Sequence, residues 1–298
     1  MRATTAPMPS RSRAARHTAI FLPRASDMRI VREVFLLLAL YAGVGLGVYG
    51  VWRVWPESKT HKEKTAQDET SLMHRTEGKL RELLHREVTA DANDEAAVKA
   101  GLRKVQDRLS PALGALSYPV ESYVIDSSTV NAVCLPGNII LVYSGLLRRL
   151  ESPEELAAIL AHEIAHAIHR DPMQALKREL GLAALFAMVG GHGDGVTGRL
   201  MHRLVSSGFS RQQELSADEE ALRVLAASDI DPKALADALR RIRGEKDEDP
   251  AVLQYISTHP GFDERVQLSE QASANWPGKA RPLDLDWKQF RAQFRVIR

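Results

Sequence analysis

The segment from Ser152 to Arg170, SPEELAAILAHEIAHAIHR, restricts this chain more than any other part of it. Ser152 can cap a helix, Pro153 suits its first position, and Glu155 stands where a capping box needs its acid. A helix that starts there runs to about Arg170. At about 100° per residue, His162 and His166 project within about 40° of each other. Leu156, Ala157, Leu160, Ile164, Ala167 and Ile168 fill the opposite arc. The helix therefore buries one side and presents two imidazoles, one turn apart, on the other. That is what a tetrahedral zinc requires of a single helix. Glu163 is offset beside them, placed to reach a water without ligating the metal, and so to act as general base. His169 lies about 10.5 Å along the axis from His162, too far to share an ion whose ligand bonds are about 2 Å. Pro172 stands where the extended metzincin pattern needs its third histidine, which excludes that class.

The third ligand must come from elsewhere. Ser210 can cap a second helix through Ser210-Arg-Gln-Gln-Glu-Leu-Ser-Ala-Asp218, where Glu214 and Asp218 share one face at i, i+4. Glu214 is the candidate ligand, with Asp218 placed to accept a hydrogen bond from a ligating histidine. Spacing alone leaves Glu179 open as a competitor. The one cysteine, Cys134, excludes an intrachain disulfide and a thiolate zinc site, and reads as a small buried hydrophobe.

Charge is divided unevenly. Residues 1–33 carry a balance of +5 and the remainder sums to −3, so the basic excess sits in the N-terminal tail. Nothing in the body offers a phosphate-binding face, which argues against a nucleic-acid partner. From Val34 to Trp52 there are 19 consecutive uncharged residues, VFLLLALYAGVGLGVYGVW. As a helix they span about 28 Å, close to the thickness of a bilayer core. Arg32 and Arg53 bracket the run, and Tyr49, Trp52 and Trp55 gather at its far end. No small-residue cleavage site follows, so the run reads as a retained anchor over residues 34–55. The Arg-rich side stays cytoplasmic, which puts the rest of the chain outside the cytoplasm. A bacterial inner membrane with a periplasmic domain fits this, with Met28 as another possible start. The Arg-rich, acid-poor first 29 residues also suit an organelle transit peptide, hence a mitochondrial inner membrane. Oligomeric state is left open, since Gly43 and Gly47 in a Gly-rich span are weak evidence for pairing.

Residues 56–70 are polar and read as a linker, leaving 71–298 as the folded domain. Helical patterns cover about Leu72–Val88 and Glu95–Leu109, and β-type segments cover Val120–Ile125, Val130–Leu135 and Asn138–Tyr143. Helices dominate from Ser152 to about residue 273. The apolar run Leu180–Val189 is too short to cross a membrane, and GGHGDG at 190–195 reads as a turn.

The order of these pieces resembles that of the membrane-associated gluzincin peptidases, which include the heat-shock protease HtpX, the CAAX prenyl endopeptidases and the β-barrel assembly-enhancing protease. The resemblance covers roughly Ser127 to Leu268. It runs through Asn131-Ala132, Pro136-Gly137, Gly145-Leu-Leu, the AHEIAH helix, Ser210-Arg211 with Glu214, Ala217-Asp218, and His259-Pro260 with Arg265. It implies a mainly helical, zincin-like α+β domain behind one N-terminal transmembrane helix. It also implies one Zn2+ per chain, held by His162, His166 and Glu214 with Glu163 as base, and so favours Glu214 over Glu179. His259 matches the family's histidine near the metal, where it either donates to the oxyanion or caps the zinc at rest. The implied substrates are polypeptides, misfolded or unassembled envelope proteins, paired with Gly137–Tyr143 as an edge strand. Two departures, Asn138 for a second Gly and Asp171 for a His, are expected to leave the ligands untouched. One anchor fits the single-span envelope branch of the family.

Overall fold

The computed structural model describes residues 59–181, 184–185, 196–244 and 250–294. The proposed anchor, the basic tail, the 190–195 turn and most of the Leu180–Val189 run lie outside the described residues. Residues Gln67–Arg298 form one compact unit. Met1–Ala66 form another, of which only 59–66 are described, as helix.

The chain enters through helix α1 (Lys59–Asp91), which is helical where its polar composition suggests a linker. Its first turns are rich in Lys, Glu, Gln and Ala, good helix formers that carry no apolar period to announce a helix. Helix α2 (Ala96–Leu109) follows the Asp91–Asp94 turn. Three strands come next, β1 (Glu121–Ile125), β2 (Ala132–Leu135) and β3 (Ile139–Tyr143). They lie in the order β1-β3-β2, with β3 parallel to β1 and antiparallel to β2. Thus β3 is the central strand and both its edges are occupied. The expectation that Gly137–Tyr143 offers a free edge is wrong, and β2 is the edge strand packed on the helix that carries His162 and His166.

Both sheet faces are covered, which is why β2 and β3 read as near-continuous apolar runs. Ala132, Ile140 and Val142 face one core, shared with Leu156, Leu160 and Ile164. Val133, Leu135, Ile139 and Leu141 face a second core, closed by Leu80, Leu84 and Val88 of α1. The β2–β3 turn places Gly137 and Asn138 in the left-handed region, at φ 78° and 64°. Asn tolerates that conformation, and Asn138 secures it by donating to the Tyr118 carbonyl at 2.7 Å. A Cβ at Gly137 would lie 2.5 Å from Arg81, so a side chain is refused there.

Short helix α3 (Ser144–Arg149) leads to α4 (Pro153–His169), the helix expected from Ser152 onward. Ser152 accepts from the Glu155 amide at 3.1 Å, as predicted. The Glu155 carboxylate, however, takes the Glu151 amide at 2.7 Å in place of that of Ser152. The remaining helices are α5 (Asp171–Leu180), α6 (Val196–Ser206), α7 (Arg211–Ala227), α8 (Lys233–Arg243), α9 (Pro250–Thr258), α10 (Phe262–Asn275) and α11 (Trp287–Arg291). The architecture is mainly helical with a small mixed sheet. No helix among the described residues is long and apolar enough to cross a membrane.

Candidate metal centre

Helix α4 is not an amphipathic surface helix. It is buried on nearly all sides, packed most extensively on α7 and also against α8, α2 and β2. Its imidazoles therefore point into a closed interior. His162 Nε2 and His166 Nε2 lie 3.2 Å apart. Glu214, four residues past the Ser210 cap of α7, reaches them from the facing helix. Its oxygens lie 3.5 Å from His162 Nε2 and 3.3 Å from His166 Nε2. His259, just beyond α9, brings Nδ1 to 3.2 Å from both Glu214 oxygens and 3.4 Å from His162 Nε2. One donor atom from each of these four residues lies within 4.8 Å of all the others, and all four side chains are buried.

These spacings fit a metal ion. Four ligands at bond lengths of about 2.0–2.1 Å around a tetrahedral zinc stand roughly 3.3–3.4 Å from one another. Five of the six donor pairs stand 3.2 to 3.5 Å apart, taking either Glu214 oxygen, and all four donors lie within 4.8 Å of one another. Two imidazoles, a carboxylate and a third imidazole are also the ligand types zinc takes. Glu163 stands beside them, 0% exposed, with neither carboxylate oxygen hydrogen-bonded. His259 Nε2 lies 3.8 Å from Glu163 Oε1. Glu179 is exposed on α5 and outside the cluster, as is the half-buried His169.

A second layer orients the donors. Asp218 Oδ1 lies 2.8 Å from His162 Nδ1. Arg265, fully buried on α10, donates to Asp218 from Nε at 2.6 Å and from Nη2 at 2.8 Å, and places Nη1 2.8 Å from Glu214. Asp171, expected to leave the ligands untouched, instead puts Oδ2 2.8 Å from His166 Nδ1. The left-handed Arg170, at φ 56°, ends α4 and turns the chain so that Asp171 points back at His166. Phe209 stacks on the His166 ring at 4.0 Å between centroids.

The profile of peptidase family M48 matches residues 96–272, more than half of the chain and every residue of this centre. The chain belongs to peptidase family M48. The M48 chain is 32% identical over 157 residues to the mitochondrial metalloendopeptidase OMA1 of Arabidopsis thaliana, covering 51% of this chain and 31% of the plant protein. It is 28% identical over 165 residues to the metalloprotease LoiP of Escherichia coli, covering 53% and 64%. It is 27% identical over 176 residues to the β-barrel assembly-enhancing protease of Yersinia pestis, covering 54% and 36%. The chain thus spans less than two thirds of each of these relatives.

Electrostatics in this M48 centre set a pH window. Burial pushes the Glu214 carboxyl upward, but His259 and Arg265 outweigh it and hold the group well below its usual range. Asp218 is likewise lowered against its burial, chiefly by Arg265. Burial and Arg265 push His162 down, yet Asp218 and Glu214 leave it raised. His166 is raised against its burial by Asp171 and Glu214. Depressed carboxyls stabilise the fold above their ordinary pKa and lose this as pH falls through the lowered value. Raised imidazoles stabilise it below about 6.5 and lose this as pH rises through the raised value. The metal-free protein is therefore expected to gain most from these groups between about pH 4.5 and 6.5. Zinc requires neutral imidazoles, so its stabilisation should grow steeply above that window. Melting curves from pH 4 to 8, with and without zinc, would show it. A zinc-induced shift independent of pH would contradict the assignment.

Proposed function

We propose that this M48 chain is a membrane-tethered, zinc-dependent endopeptidase. The observation that carries the reading is the buried four-donor cluster of His162, His166, Glu214 and His259 beside the unpartnered carboxylate of Glu163. His162, His166 and Glu214 would hold one zinc. Zinc, when bound, polarises a scissile carbonyl and acidifies water. Glu163 takes the proton of the attacking water and hands it to the departing amine. Asp218 and Arg265 keep the His162 ring and the Glu214 carboxylate in place.

An extended substrate would lie along the outer edge of β2. The register pairs Asn131, Val133 and Leu135 with β3, which turns the backbone groups of Ala132 and Cys134 outward. Asn131 covers the Ala132 amide with Oδ1 at 3.0 Å and buries an unpartnered Nδ2. The edge is itself buried, with Asn131 and Ala132 0% and Cys134 2% exposed, so substrate would reach it only once its cover moves. An unfolded polypeptide is the substrate class such an edge accepts. Residues 34–55 would anchor the domain to a bacterial inner membrane, facing the periplasm, with a mitochondrial inner membrane as the alternative. Misfolded or unassembled envelope proteins would be its physiological targets.

His259 favours a second reading. Its Nδ1 stands at the fourth corner, as in a closed structural site, and a binding module that cleaves nothing would share that feature. The two orphan oxygens of Glu163 weigh against it, because a purely structural centre has no reason to bury an unsatisfied carboxylate. His259 then acts as a cap that must swing aside before substrate enters.

Full-length protein in detergent, loaded with zinc, is expected to cleave a denatured polypeptide and to lose this on chelation. His259→Ala is expected to cleave several-fold faster while holding zinc less tightly. A fall of about 10²-fold would assign His259 to the transition state instead. Zinc-loaded native and variant proteins that both leave the polypeptide intact would establish the binding module.

A further inference from the structure

We propose that Asp171 and Gln213 form a strut that positions His166 and ties it to the helix carrying Glu214. The strut rests on the reading of His162, His166 and Glu214 as metal ligands. Asp171 is 3% exposed, and its two oxygens have separate partners. Oδ2 lies 2.8 Å from His166 Nδ1, and Oδ1 accepts from Gln213 Nε2 at 2.6 Å. Gln213 is the residue before Glu214 and belongs to the cap of α7. Its Oε1 accepts from the Ser210 amide at 3.2 Å and from the Ser210 hydroxyl at 3.0 Å. One carboxamide therefore joins the start of α7 to the carboxylate behind His166.

The chemistry of this arrangement is specific. A carboxylate at Nδ1 holds the proton there and leaves the Nε2 lone pair directed at His162 and Glu214. Asp218 does the same for His162, but it is gripped by the guanidinium of Arg265. Asp171 is gripped by a neutral amide from the first turn of α7. The His166 ring is thus fixed at its edge by Asp171 and on its face by Phe209. Because Gln213 and Glu214 are adjacent on α7, a shift of that helix moves a ligand and the support of a second ligand together. His166 and Glu214 accordingly behave as one unit toward the metal, and Gln213 acts on His166 only through Asp171.

The test uses full-length protein in detergent and reads zinc affinity by competition with a chromophoric chelator, together with the visible spectrum of the Co2+-substituted protein. Asp171→Asn, which keeps the size of the side chain, is expected to weaken zinc about 10- to 100-fold and to alter the Co2+ bands. Gln213→Ala is expected to weaken zinc several-fold in the native background, but by less than about twofold beside Asp171→Ala. Its loss of helix capping would instead lower the melting temperature in both backgrounds. Asp171→Asn that binds zinc within about twofold of native would overturn the strut, as would a Gln213→Ala effect equal in both backgrounds. A native chain that takes up no zinc would overturn the metal-centre reading and the strut with it.

Discussion

Glu163→Gln is expected to lower kcat about 10²- to 10⁴-fold, with zinc content unchanged and KM little altered. Glutamine keeps the shape of the side chain but cannot accept the proton of the attacking water. Glu163 is one residue from His162, yet it takes no part in the four-donor set, so its loss leaves the proposed ligands intact. The same substitution should leave the protein at least as stable as native. Both Glu163 oxygens are buried without a hydrogen-bond partner, an arrangement that costs stability and persists where function requires it. Reduced turnover with an undiminished melting temperature separates a catalytic carboxylate from a structural one. Cleavage by Glu163→Gln at the native rate would remove Glu163 from the mechanism.

What the sequence discloses, and what it hides, follows from the range of the interactions involved. Helix α4 is legible because its cap, its first-turn proline and its apolar period are all local signals. The same local geometry places Glu214 and Asp218 on one face, although only the resemblance prefers Glu214 to Glu179. Strand order is not legible. Gly137–Tyr143 reads as an edge strand, whereas the parallel pairing of β1 with β3 puts that segment in the centre and β2 at an edge. The role of Asp171 is hidden for a geometric reason. Five residues after His166 on a continuous helix it would point elsewhere, but the left-handed turn at Arg170 brings it back. Helix α1 begins earlier than the sequence suggests because its first turns are polar, and periodicity is silent there. Arg265 enters the sequence reading only as a member of the family pattern with His259-Pro260, and no local signal gives it a role. Only the three-dimensional meeting of α7 and α10 shows it to be the cation that neutralises this site.

That role makes Arg265→Met the substitution with the largest expected effect on stability. Arg265 is 0% exposed and contacts two carboxylates that are themselves 0% exposed, Asp218 at 2.6 Å and Glu214 at 2.8 Å. Burial alone would lower its pKa, but these two acids outweigh that and raise it, so the guanidinium stays charged. Methionine fills similar space and leaves both acids buried without their cation, which costs about 3–5 kcal/mol in the metal-free protein. Denaturant unfolding without zinc measures this directly. Arg265→Lys restores a charge but not the two-pronged contact to Asp218, and should fall between native and Met. Acid should narrow the gap between native and Arg265→Met. Native Glu214 and Asp218 contribute stability above the ordinary carboxyl pKa and lose it as pH falls through their lowered values. In the variant the part of that contribution owed to Arg265 is already gone, so it has less to lose. Zinc should stabilise Arg265→Met more than native protein, because the dication replaces part of the missing charge beside Glu214. A cost below about 1 kcal/mol without zinc would show that some group other than Arg265 neutralises the two acids.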